Sequence, residues 1–411
     1  MDDEGNEKSP FWMETDEGWA ASRALTLKKP RKKVALSWWM RTYALALRRK
    51  PAAWLRREID PYPPPPKGAC LSPSLHHFHA YDRAPLRLSW QRMKGRDAAE
   101  WQTVARHRLV QLLGLEPRQD PPEAHHQEDF PLGEALCRRR VYLRVDEAWD
   151  VPVHLIWREP AVPRMPVLLY LSGSTSGVHV AWGGVHIPAD YLLLGVGADM
   201  ARQAAVRGYL VACIEQACFG ERLERALRPR SAARCIDAAN HALLLGRCLL
   251  GEQVADVISV VDWLEAGGSG LDGDMDRLHL FGHSSGGTVA VYAAAVETRI
   301  RAAICSGCVG PVRETIARRR NPEGAAIVPG ILNWMEAEDV VGLCAPRPFI
   351  GVSGIEDHIF PFHGVQGVVE GARDVYRALG RGDRVHAVPG PAGHQYYPKE
   401  TWEAVGRLLG T

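Results

Sequence analysis

The residues with the clearest chemical content lie in Arg277-Leu278-His279-Leu280-Phe281-Gly282-His283-Ser284-Ser285-Gly286-Gly287. An apolar run stops at a glycine-rich turn, and small residues from Thr288 to Val296 continue as a helix pattern. Gly282, Ser284 and Gly286 carry the G-x-S-x-G spacing in a strand–turn–helix context. A serine at the tip of so tight a turn is crowded on both sides, and glycines two residues away relieve the crowding. The hydroxyl then stands above a sheet, and the Ser285 amide points to where charge would develop on an attacked carbonyl oxygen. Ser285 is the rival nucleophile, but counting from it puts His283 where a small residue is needed. The chemistry on offer is nucleophilic attack by Ser284 on a carbonyl carbon.

A serine hydroxyl needs a base, and the base needs an orienting acid, in the chain order serine, acid, histidine. Phe349–Ser353 reads as a strand and runs into Gly354-Ile355-Glu356-Asp357. Asp357 is the expected acid, with Glu356 beside it a solvated loop charge. Val385–Val388 reads as the last strand, and Gly390-Pro391-Ala392-Gly393-His394 places His394 as the base. His358, His363 and His386 are in the neighbourhood without that placement. The second oxyanion donor should come from Ser172-Gly173-Ser174 after the strand Pro166–Leu171. There Gly173 permits close backbone approach and the Ser174 amide joins that of Ser285. This loop lacks the lysine and spacing of a phosphate-binding loop. Trp182, Trp334 and His283 are candidates to line the substrate pocket. Such a mechanism requires no metal or organic cofactor. Activity should fall as pH drops through the ordinary histidine range, nominally ~6.5.

The elements that must position these residues alternate from about Leu136 onward. Val141–Val145 and Val151–Trp157 form an opening hairpin. Pro166–Leu171, Tyr209–Ile214, Arg277–Gly282, Ala302–Cys305, Phe349–Ser353 and Val385–Val388 follow as strands. Helices are expected near 198–207, 248–265, 288–296, 364–380 and 400–409. The pattern predicts an α/β fold: a doubly wound, mostly parallel sheet with helices on both faces. Its ligands bind outside the carboxyl ends of the strands, where the elbow, acid and base all fall.

Upstream, residues 1–20 are acidic and read as a disordered tail. Residues 21–135 read as a largely helical N-terminal extension, and 136–411 as the catalytic domain. Leu36–Leu47 has an aromatic and aliphatic helix face flanked by basic residues. It is expected to pack on the main domain or on a neighbouring subunit, which makes a homo-oligomer possible. Pro61–Pro66 is a stiff connector, residues 97–114 a helix with a glycine stop, and Pro117–His126 a loop. His76, His77 and His79 have no cysteine or carboxylate at ligand spacing, so no metal is expected. Cys305-Ser306-Gly307-Cys308, lacking a second such pair, reads as two core thiols.

The chain has 411 residues, 46% hydrophobic and 24% charged, enough to bury a sizeable core. A formal net charge of +2 points to no nucleic-acid partner. Nine unpatterned cysteines, no leader-like apolar run and no long uncharged apolar segment make a cytoplasmic protein without a transmembrane segment the expectation.

From about Leu136 the chain resembles the α/β-hydrolase superfamily, most closely the branch of acetyl xylan esterases and dienelactone-hydrolase-like esterases. The resemblance is carried by Gly282-His283-Ser284-Ser285-Gly286-Gly287, Ala345-Pro346-Arg347-Pro348, Gly354 to Pro361, Gly393-His394 and Cys218-Phe219-Gly220-Glu221-Arg222. Trp101 to Gly114 is similar to a helix that often precedes the catalytic domain there. Relatives commonly carry His-Gly at the oxyanion loop, where this chain has Ser172-Gly173. The resemblance implies a serine hydrolase of a small-molecule carboxylic ester with a small acyl group. A lactone, thioester, small amide or peptide is the alternative substrate, and a catalytically silent binding protein the alternative of another class.

Overall fold

The computed structural model describes Met40, Ala44 and residues 65–93, 95–117, 120–224, 235–317 and 326–410. The expected tail 1–20 lies outside them, as do nearly all of the helix 36–47 and Pro61–Pro64. The chain divides into two compact units, residues 1–79 with 225–228, and residues 80–224 with 229–411.

The second unit holds one nine-stranded sheet. In chain order the strands are β1 (Glu123–Gly133), β2 (Leu136–Asp146), β3 (Trp149–Arg158), β4 (Met165–Leu171), β5 (Leu210–Ile214), β6 (Gly273–His283), β7 (Ala302–Ser306), β8 (Phe349–Gly354) and β9 (Val385–Gly390). Their spatial order is β1-β2-β3-β5-β4-β6-β7-β8-β9. The β1–β2, β2–β3 and β3–β5 pairs are antiparallel, and every pair from β5 to β9 is parallel. The doubly wound expectation is met. The order inverts at β5-β4, so the segments leaving those two strands sit side by side at the carboxyl edge, where such sheets hold ligands.

The sheet begins earlier than the sequence suggests. Residues 123–126, read as loop, are the start of β1, which pairs with β2 along its length. Seven consecutive β1 residues from Glu123 are exposed, so this edge strand has no buried alternation to read. The helix α2 (Ala98–Leu113), following α1 (Pro73–Asp82), buries Trp101, Ala105, Leu109 and Leu113 in the main core. Both α2 and β1 therefore belong to the unit of the sheet, not to a helical extension ending at 135.

Two apolar layers cover the sheet. After α2 the chain forms α3 (Pro188–Gly195), α4 (Met200–Val206) and α5 (Ile236–Leu244), and one layer is filled from α2, α6 (Leu249–Glu265), α7 (Ser284–Val296), α8 (Ala337–Gly342) and α9 (Phe362–Ala378). The other is filled from α4 and α10 (Pro398–Leu409). Helix α7 is buried at every position from Gly286 to Ala295, which is why its sequence is small and apolar all round.

Arg347, in the motif Ala345-Pro346-Arg347-Pro348, closes the far end of α7. Its guanidinium donates to the carbonyl of Ala294 at 2.6 Å, of Glu297 at 3.0 Å and of Ile300 at 2.7 Å. A lysine ammonium cannot reach three carbonyls in that planar arrangement. Arg347→Lys should cost about 2–3 kcal/mol and lower Tm by about 5 °C or more in differential scanning calorimetry.

Candidate active site

Strand β6 runs directly into α7, and Ser284 at the junction has φ +52°. This left-handed backbone at a non-glycine residue is locally strained, by about 1–3 kcal/mol, and survives because its surroundings hold it. A Cβ on Gly282 would lie 2.4 Å from the Gly286 carbonyl oxygen, and one on Gly286 would lie 2.2 Å from that of Ser172. The G-x-S-x-G glycines thus let α7 start against the ends of both β6 and β4. Gly286→Ala must push α7 off β4, so the variant should lose most of its soluble folded yield, measured by size-exclusion chromatography.

Asp357 lies in the turn after β8 and His394 in the loop after β9. The two loops are zipped by the Ile355 amide on the Gly390 carbonyl and the Glu356 amide on the Ala392 carbonyl, at 2.9 and 3.0 Å. His394 Nε2 stands 3.0 Å from Ser284 Oγ, and its Nδ1 2.7 Å from Asp357 Oδ2. Asp357 Oδ1 accepts the amides of Ile359 and Phe360, each at 2.8 Å, and the Ser353 hydroxyl donates to Oδ2 at 3.3 Å. Burial alone would raise the Asp357 pKa. His394 and the two amides outweigh it and leave the carboxyl below its ordinary value. The charged acid fixes the tautomer in which His394 Nδ1 donates and Nε2 accepts from Ser284. Glu356 is exposed.

Gly173 packs against the elbow: a Cβ there would lie 3.1 Å from Ser284 Cβ. Gly173 thus brings the loop after β4 directly against the elbow residue. Ser174 follows in the same loop, and Ser285 opens the first turn of α7.

His283 is buried behind His394, its ring stacked on Tyr396 at 3.8 Å and its Nδ1 3.0 Å from Ser306 Oγ. Burial and the neighbouring His394 push its pKa down to about 3, so it is neutral at ordinary pH and acts as packing. Trp182 is half-buried with its ring on His154 and the Arg138 guanidinium over it. Trp334 lies under the guanidinium groups of Arg108 and Arg87, beside α2, which leaves it outside the Ser284–His394 group. The structure thus gathers Ser284, His394, Asp357, Gly173 and His283, and leaves Trp334 elsewhere. Tyr396, Ser306 and Ser353 escaped sequence reading because nothing local distinguishes a hydroxyl that pins a loop from one in solvent.

Beside the elbow is an apolar recess lined by Thr288, Val291, Cys308, Val309, Val312 and Phe360. Cys305 and Cys308 are buried free thiols, and Cys308 touches the first turn of α7. Among the described residues no helix is long and apolar enough to cross a membrane.

No family model matches the chain. It is 27% identical over 210 residues to the Bacillus subtilis protein described as "Putative hydrolase YtaP", a match spanning 50% of this chain and only 65% of that protein. Among solved structures it is similar to a "putative acetyl xylan esterase" of Bacteroides fragilis, with TM-score 0.63, 16% identity and coverage of 82% and 85% of the two chains. It is also similar to a glucuronoyl esterase of Solibacter usitatus, with TM-score 0.55, 18% identity and coverage of 77% and 94%. With this strand order, a strained serine between strand and helix, and these likenesses, the chain has the α/β-hydrolase fold.

Proposed function

We propose that the protein is a serine hydrolase that cleaves a carboxylic ester through an acyl-enzyme. The observation that carries this reading is the unbroken relay from Ser284 Oγ through His394 to Asp357, at 3.0 and 2.7 Å. Ser284 attacks the ester carbonyl while His394 Nε2 takes its proton, and Asp357 stabilises the imidazolium that forms. The amides of Ser285 and Ser174 hold the oxyanion. His394 then protonates the leaving alcohol and activates water against the acyl-enzyme. The apolar recess beside Thr288 and Phe360 would take a small acyl group. The esterase likenesses support an ester over other acyl compounds.

The test is labelling with a fluorophosphonate probe alongside hydrolysis of p-nitrophenyl acetate. Stoichiometric labelling with turnover is the expected result. Folded protein that neither labels nor turns over would overturn the reading. A panel of matched ester, lactone, thioester and amide at equal concentration ranks the acyl compounds, with the ester expected first.

A further inference from the structure

We propose that Glu215 is a positioning residue that holds the oxyanion segment 172–178 in place against Ser284. Glu215 follows β5 directly and is only 2% exposed. Its two carboxylate oxygens accept the Val178 amide at 3.1 and 3.2 Å, and Oε2 also accepts the Glu221 amide at 3.3 Å. A Cβ on Gly220 would stand 1.8 Å from Oε2, and one on Gly177 3.1 Å from it. The carboxylate therefore occupies the room that these two glycines leave open.

A path of backbone links, hydrogen bonds and one packing contact leads from this carboxylate back to the elbow. Val178 follows Gly177, whose carbonyl accepts the Thr175 hydroxyl at 3.0 Å. The Thr175 amide donates to the Gly173 carbonyl at 2.7 Å, and Gly173 lies against Ser284. In parallel, the Gln216 side-chain amide donates to the Ser172 carbonyl at 2.5 Å. On its far side the brace is itself anchored, because the Glu221 carboxylate meets His154 Nε2 at 2.8 Å and the Tyr142 hydroxyl. Ser176, His179 and Asp190 pin the same loop independently, so losing the brace should shift the segment without melting it.

The carboxylate accepts from the Val178 and Glu221 amides, N–H donors that only the ionised form can fully satisfy. Burial opposes ionisation more strongly than the Val178 and Glu221 amides favour it, and pushes the pKa up to about 7. The charged and titratable groups around it are Glu221 and Arg222 on the following turn, Cys213 on β5 and His179 on the loop. The brace is thus charged above about pH 7 and protonated below.

The activity arm of the test rests on the hydrolase reading; a second arm does not. Glu215→Gln keeps the shape but turns an NH2 toward an N–H donor. Its kcat should be about tenfold below wild type at pH 8.5, with KM within about twofold, because the donor acts on the transition state. The ratio of wild-type to variant activity should fall to about one by pH 5.5, where wild-type Glu215 is itself protonated. Any titration shared by the two proteins cancels in that ratio. In wild type, amide exchange of residues 172–182, corrected for intrinsic rate, should lose protection about fivefold from pH 8 to pH 6. A ratio independent of pH, or unchanged protection, would overturn the proposal. If wild type neither labels nor turns over, the hydrolase reading fails, and exchange alone decides Glu215, whether or not the variant folds.

Discussion

Ser284→Ala should abolish fluorophosphonate labelling and lower kcat for p-nitrophenyl acetate by about 10⁴-fold or more, with Tm within about 2 °C of wild type. The two halves of that result have separate causes. Chemistry is lost because Oγ is the one atom of the residue that meets His394 Nε2. Stability is kept because alanine retains the Cβ, so the strain at φ +52° is the same in both proteins. Residual turnover would come from the oxyanion donors and substrate binding. Labelling that survives in the variant would move the nucleophile to Ser285. The geometry speaks against that outcome, because Ser285 Oγ is buried without a hydrogen-bond partner among the described residues.

Asp357→Asn should lower kcat by about 10⁴-fold with KM within a few-fold. Asparagine keeps an oxygen for the amides of Ile359 and Phe360, so the turn after β8 survives. Its NH2 then faces His394 Nδ1, which must accept, and the ring proton moves to Nε2. That proton points at Ser284 Oγ and leaves no base. A variant with more than about a tenth of wild-type kcat would contradict this role for Asp357. The acid limb of stability provides a second check. Because the folded pKa of Asp357 is depressed, its contribution is complete above the ordinary aspartate value near ~3.9 and is lost as pH falls below it. The Asn variant should lose less stability than wild type between about pH 5 and pH 3, measured by urea denaturation.

Much of this site is legible in sequence because each part lies just after a strand and carries local punctuation. Gly282 and Gly286 mark a turn that only small residues allow. Ile355 to Asp357 and Gly390 to His394 each leave a short apolar run for a polar loop, in the order that the chemistry requires. The resemblance to esterases rests on the same short stretches. The missed parts have the opposite character. Strand β1 is an exposed edge with no periodicity to read. Trp334 has the composition of a pocket residue, but cations on α2 and near Leu88 cover it. Glu215 reads as an ordinary charge at a strand end, and Tyr396 as one more aromatic beside a histidine.

By itself, then, the sequence determined the sheet-and-helix alternation and the serine, acid and histidine with their order. Backbone conformation at a tight turn and apolar periodicity are local properties, so they leave local marks. Only the tertiary structure decided that Glu215 meets the segment 172–178, that His283 is neutral packing and that Trp334 lies beside α2. Those depend on contacts such as Glu215 with Val178, His283 with Ser306 and Tyr170 with Tyr396. The β5-β4 inversion and the parallel pairing of β4, β6 and β7 bring those groups together. Burial then sets their charge, and a residue's burial is the property of its neighbours in space rather than in the chain.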